Sequence, residues 1–295
     1  MAYGSADSEI IKTPLFGSNR FPMNRIVLAQ ITSAPEKAKN LKLAQNLISE
    51  AKSKGARMIA FPEFLMAFSP SSQSAEELAQ MAEPVDGPFV ASLGEAAKKH
   101  HIDVLATIYE ISNVPHRVYD TALWIGANGE PAAVYRKLHL YDALGFKESD
   151  KFAPGNKVTP PLSTVIGQCG MMICYDLRFP ELARILTLTG ANVLLALSGW
   201  VQGEMKVEHW QTMVRARALE NGCYVIAPDQ VGNIYIGHSM AVDPFGNILV
   251  DMKEGEGLAG VDIDPALVTE TREKLPLLKN RRADVYSRYS ATKVF

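Results

Sequence analysis

The sequence predicts a layered α/β protein. Short apolar runs recur along the chain, amphipathic helical segments fall between them, and no break in composition separates the two halves. Periodicity leaves two architectures open: a four-layer α-β-β-α sandwich made from two strand-and-helix halves, and a doubly wound sheet. A single domain over residues 23–269 is expected, close to the size at which one hydrophobic core stops growing.

Residues 1–22 carry turn formers and no sustained period, so they are expected to lie outside the fold or to pack on it as an arm. The first convincing element follows them: RIVLAQ (25–30) reads as a buried strand. In EKAKNLKLAQNLISEAKSKG (36–55), Leu41, Ala44, Leu47 and Ile48 recur at helical spacing, and Gly55 supplies a stop. ARMIAFPE (56–63) is another short apolar run, ending at a proline and a carboxylate. A helix over 88–100 and strands over 103–109, 119–125 and 132–135 follow, the last two separated by the turn formers Ala127, Asn128, Gly129 and Glu130.

The second half repeats the idiom. CGMMICYD (169–176), ANVLLALSG (191–199) and CYVIAPDQV (223–231) read as strands, and PELARILTLTG (180–190) and EMKVEHWQTMVRARALENG (204–222) as the helices between them. Shorter strands are expected near 238–242, 248–252 and 260–263, with turns at 243–246 and 255–257. The tail over 270–295 is polar and basic with interspersed tyrosines, a composition suited to packing at a subunit interface.

Composition narrows the function. Hydrophobic residues make up 47% and charged residues 21% of the chain, and the net charge of −2 comes from acids and bases mixed along its length. Nucleic acid would call for a concentrated basic surface, so it is not an expected partner. No run approaches the roughly 20 apolar residues of a membrane span, and the N-terminus lacks the charged-then-apolar pattern of a signal peptide. Cys169, Cys174 and Cys223 cannot all pair within one chain, which points to a reducing, cytoplasmic setting.

Cys174 ends the apolar run GMMIC and precedes YDLRFPELARI, in which Pro180 suits an early helical position. A strand-to-turn-to-helix junction pushes its side chain outward and leaves backbone N–H groups free for a developing oxyanion. A buried cysteine that merely finishes a strand is the plainer alternative. A thiol needs a base, because its free pKa is about 8.5. None of the six histidines is arranged for a Cys-His pair, and no cysteine or histidine pairing suggests a metal.

Glu63 offers another base, since Pro62 carries it just past the carboxyl end of a strand, where α/β proteins gather reactive groups. A carboxylate that caps a helix or faces solvent is the plainer alternative. Lys137, where the strand of AAVYRKLHLYD gives way to loop, would lower a nearby thiol pKa and hold a negative oxygen; an exposed basic pair with Arg136 is the alternative. Glu148, in GFKESDKFAPG, is placed to return and pair with Lys137.

Together the segments FPE (61–63), YRKLHLYD (135–142), KESDKFAPG (147–155) and MICYDLRFPE (172–181), in that order, resemble the carbon-nitrogen hydrolase, or nitrilase-like, superfamily from Arg25 to about Asp264. The resemblance implies the α-β-β-α sandwich and a triad in which Glu63 is the general base, Lys137 the oxyanion-stabilising lysine and Cys174 the nucleophile. It makes Glu148 an accessory glutamate, adds the Tyr175 backbone N–H to the oxyanion site, and calls for no metal or organic cofactor. It also implies a homodimer or larger homo-oligomer.

YDLRFPE and ARALENGCYVIA (216–227) are similar to the ω-amidase and deaminated-glutathione-amidase branches, which implies a small, carboxylate-bearing linear amide cleaved through a thioester. Residues 143–148, ALGFKE, form a shorter connection than in those branches and reshape a pocket wall. Trp200, Ser198 and Arg178 are the expected substrate-binding residues, with surface packing of an aromatic at a turn as the alternative for the tryptophan and a structural pair with Glu181 or another carboxylate as the alternative for the arginine. Arg215 and Arg217 read first as scaffold or interface residues. Cleavage of an N-carbamoyl group, less readily of a nitrile, and a catalytically silent scaffold are the rival functions.

Overall fold

The computed structural model describes residues 24–289. The expected leader at 1–22 and the end of the tail lie outside the described residues. The chain runs β1 (Asn24–Gln30), α1 (Lys37–Ser53), β2 (Met58–Ala60), α2 (Ala75–Met81), α3 (Pro88–His100), β3 (Asp103–Ile111), β4 (Val118–Ile125) and β5 (Pro131–Arg136). After β6 (Leu162–Thr164) and β7 (Gly167–Ile173) come α4 (Pro180–Leu188), β8 (Val193–Leu197), α5 (Lys206–Asn221) and β9 (Tyr224–Ala227). The hairpin β10 (Val231–Gly232) and β11 (Tyr235–Ile236), then β12 (Met240–Val242), β13 (Ile248–Asp251), β14 (Gly257–Ile263), α6 (Pro265–Lys274) and α7 (Ala283–Tyr286) complete it.

Two six-stranded sheets result, in the orders β14-β1-β2-β3-β4-β5 and β13-β12-β9-β8-β7-β6. Each has a parallel centre, β1-β2-β3 in one and β7-β8-β9 in the other, flanked by antiparallel strands. The alternation of side chains explains the layering. On the first sheet, Ile26, Leu28, Met58, Leu105, Ala122 and Trp124 share one core with the second sheet and with α4 and α5. Their neighbours Val27, Ala29, Ile59, Val104 and Leu123 pack instead with α1 and α3. A sheet buried on both faces, facing a second such sheet, is the α-β-β-α sandwich rather than one doubly wound sheet.

Several elements depart from the sequence reading. α2 carries a capping box, the Glu77 N–H donating to Ser74 Oγ at 3.1 Å and the Ser74 N–H to Glu77 Oε2 at 2.8 Å. The S-x-x-E signal was present in the sequence but lay between stronger apolar runs. The expected strand over 223–231 stops at Ala227, because Pro228 has no N–H to extend the ladder. α6 runs unbroken across 269–270; Asp264 caps it, Pro265 opens it, and Val268 and Thr271 are buried. The polar face of this helix hid its period.

Candidate active site

Strand ends from both sheets deliver the side chains. Glu63 follows β2 and Lys137 follows β5 in the first sheet; Cys174 follows β7 and Gly199 follows β8 in the second. The loop after Lys137 returns through Gly155, whose N–H donates to the Lys137 carbonyl at 2.7 Å. A Cβ at 155 would stand 2.4 Å from the Arg136 carbonyl oxygen, so only glycine permits this approach.

Lys137 is 2% exposed and its ammonium is shared: Nζ donates to Glu63 Oε1 at 2.7 Å and to Glu148 Oε1 at 2.8 Å. The structure therefore brings Glu63, Lys137 and Glu148 together. Burial opposes a charged lysine, yet the two carboxylates outweigh it and raise its pKa well above the ordinary value. Glu148 also accepts the Tyr141 N–H at 2.5 Å, which pins the turn Glu148–Asp150 against the lysine; burial raises its pKa.

Asp120, on β4, is a member of this cluster that sequence reasoning missed. It is buried 3.8 Å from Lys137 Nζ, with its carboxyl group beside that of Glu63. Burial, and then the charge on Glu63, push its pKa well above the ordinary carboxylate value. Glu63, Asp120 and Glu148 have oxygens within 4.8 Å of one another and form the one group of potential metal ligands among the described residues. Their common partner is the Lys137 ammonium, which supplies the positive charge that a cation would otherwise bring.

Cys174 opens a 3-10 turn (Cys174–Arg178) with φ at +43°, a conformation that costs a non-glycine residue about 1–3 kcal/mol. Asp176 supports it. Its Oδ2 accepts the Tyr135 hydroxyl at 2.6 Å and the Ile173 N–H at 2.9 Å, while its Oδ1 accepts the His139 N–H at 3.2 Å and meets His139 Nδ1 at 2.7 Å. This buried carboxylate thus ties the Lys137 loop to the Cys174 turn. Arg217, read from sequence as scaffold, braces the same turn by donating from Nε to the Leu177 carbonyl at 2.9 Å. Asp176→Ala is expected to lose about 3–4 kcal/mol in urea unfolding, since it strands several buried donors. A loss below about 1 kcal/mol would show that other contacts hold the turn.

The Cys174 thiol senses both neighbours. Burial and the Glu63 carboxylate raise its pKa, the Lys137 ammonium lowers it, and the net direction is well above the ordinary thiol value. Lys137 acts in the sense expected from the sequence, and desolvation outweighs it. The resting group is a thiol, and a base must take its proton during attack. Gly199 links the parts, its N–H donating to Glu63 Oε2 at 2.7 Å and also favouring the thiolate.

Beside Cys174 lies a small cleft walled by Tyr141, Tyr175, Arg178, Trp200 and Lys206. Arg178 lies over the Trp200 ring, 4.6 Å from its centroid, and among the described residues it forms no ion pair. The structural pair with Glu181 is thus absent there. Ser198 is not on this lining. It is fully buried, and its hydroxyl donates to the Ala196 carbonyl at 3.1 Å, because the strand's alternation turns it into the sheet.

The carbon-nitrogen hydrolase family model matches residues 25–273. A deaminated glutathione amidase of Escherichia coli is 35% identical over 252 residues, covering 85% of this chain and 94% of that protein. Among solved structures, a carbon-nitrogen hydrolase from Helicobacter pylori superposes with a TM-score of 0.82 at 26% identity, covering 90% of this chain and 97% of that one. A mutant amidase from a Nesterenkonia species, showing the result of Michael addition of acrylamide at its active site cysteine, superposes with a TM-score of 0.75 at 27% identity over 90% of this chain and 99% of that one. With the family match spanning most of the sequence and the fold matching throughout, this chain belongs to the carbon-nitrogen hydrolase family.

Proposed function

We propose that this enzyme hydrolyses small linear amides bearing a carboxylate, with Cys174 as nucleophile, Glu63 as general base and Lys137 as oxyanion-stabilising group. The observation that carries the reading is the buried Glu63–Lys137–Glu148 bonding beside a protonated thiol that both Glu63 and Lys137 influence. Glu63 takes the thiol proton as sulfur attacks the amide carbonyl, and Lys137 with the Tyr175 backbone N–H stabilises the oxyanion. Collapse of the intermediate breaks the carbon–nitrogen bond; Glu63 returns the proton to departing ammonia and a thioester remains. Water, deprotonated by Glu63, then attacks the thioester and releases the carboxylic acid and the thiol. Glu148 keeps the ammonium aligned throughout.

Arg178, which forms no ion pair among the described residues and lines the small cleft beside Cys174, supports a short substrate with an anionic end. The amidase names of the relatives support the same class. The test is ammonia release from a panel of neutral amides, ω-monoamides of dicarboxylates, carbamoyl amino acids and nitriles. The expected result is saturable turnover with highest kcat/KM on the ω-monoamides; preferential turnover of carbamoyl compounds would replace this substrate class.

Assembly and location complete the reading. Exposed Ile185 and Leu188 on α4 and Leu219 on α5 support a homodimer or larger homo-oligomer formed through these helices. Three buried free cysteines suit a reducing cytoplasm. Among the described residues, no helix is long and apolar enough to cross a membrane.

A further inference from the structure

Lys206 is poorly placed for stability alone. It is the first residue of α5, where the helix dipole disfavours a cation, and its N-cap Met205 offers no side-chain cap. The residue is only 6% exposed. Its Nζ donates to the Tyr141 hydroxyl at 2.7 Å and lies 4.9 Å from that ring's centroid and 6.0 Å from that of Trp200. Among the described residues no carboxylate comes within ion-pair distance of it. Buried cations are ordinarily paired, because leaving water without a counterion is costly. Here the ammonium has instead a phenol hydroxyl, two aromatic faces and the cleft.

The position is nonetheless held firmly. Trp200 Nε1 donates to the Lys206 carbonyl at 3.0 Å, so the residue that forms one wall also anchors the lysine backbone. Arg178 covers the Trp200 ring, and among the described residues no acidic side chain lines the cleft. Two cations thus share one small cavity beside Cys174 with no protein anion between them.

We infer that Lys206 is a specificity-determining residue, its ammonium acting with Arg178 to receive the anionic group of the substrate. The inference rests on the reading of carboxylate-bearing amides and deepens it by naming the second cation, which sequence inspection passed over within a helical segment. The substrate chemistry is an amide at one end of a short chain and a carboxylate at the other. The carboxylate replaces the missing counterion, and the amide carbon then reaches the sulfur.

The test uses the full-length enzyme, wild type and Lys206→Met, with succinamate and the uncharged butyramide as probes. For the variant, the ratio of kcat/KM for succinamate over butyramide is expected to fall about 30-fold, carried by KM for succinamate rather than by kcat. Lys206→Gln, which retains a donor toward Tyr141, is expected to lose the ratio similarly, and Lys206→Arg to recover part of it. These comparisons separate loss of charge from disturbance of the helix start. If the wild type prefers succinamate and the Met and Gln variants keep that preference, the role of Lys206 is overturned while the substrate class stands. If the wild type shows no preference for succinamate, both fall.

Discussion

Cys174→Ala is expected to abolish ammonia release from the best amide, lowering kcat by at least about 10,000-fold, the scale on which removal of an attacking group acts. No other thiol can substitute. Cys169 and Cys223 are also buried, with burial pushing each pKa up to about 12, and neither lines the cleft. The variant should unfold at a urea concentration close to the wild-type value, because the lost atom faces a cleft. Intact-mass analysis after rapid acid quench should show a covalent acyl adduct on the wild type and none on the variant. Retention of wild-type turnover by the alanine variant would remove Cys174 as nucleophile; Cys169→Ala and Cys223→Ala, with near-normal kcat, serve as controls.

The second large effect falls on stability and catalysis together. Lys137→Met is expected to reduce kcat/KM by at least about 1,000-fold, as loss of an oxyanion donor does, and to destabilise the fold by about 3–5 kcal/mol at neutral pH. Methionine preserves length but leaves Glu63 and Glu148 buried without the cation they share. Their carboxyl groups must then take up protons in the folded variant at pH values where the unfolded chain is ionised. The folded state therefore binds more protons than the unfolded one above about pH 4.3, and stability falls as pH rises. Urea midpoints measured from pH 5 to pH 8 should show the gap to wild type widening. A gap independent of pH would mean that Glu63 and Glu148 find other partners when the ammonium is gone.

How much of this was legible beforehand follows from the range of each interaction. Strands such as RIVLAQ and GMMIC, and the helix carrying Ala44 and Ile48, declare themselves through local periodicity, and the structure places elements there. Glu63, Lys137 and Cys174 stood out because each occupies a strand end within a motif. Asp120 did not, for an acid alternating within YDTALW looks like any solvent-facing strand residue until the opposing sheet covers it. Ser198 misled for the same reason, its orientation being set by register rather than by its nearness to Trp200.

Local sequence alone determined which chemical groups were available and the elements that carry them, since helical and strand periods are read over a few residues. Tertiary structure decided their meeting: Glu63 and Lys137 are 74 positions apart, and Lys206 and Tyr141 are 65 apart. It also decided the protonation of Cys174. Burial and neighbouring charges act through space, and two sheets had to pack before either existed around that sulfur.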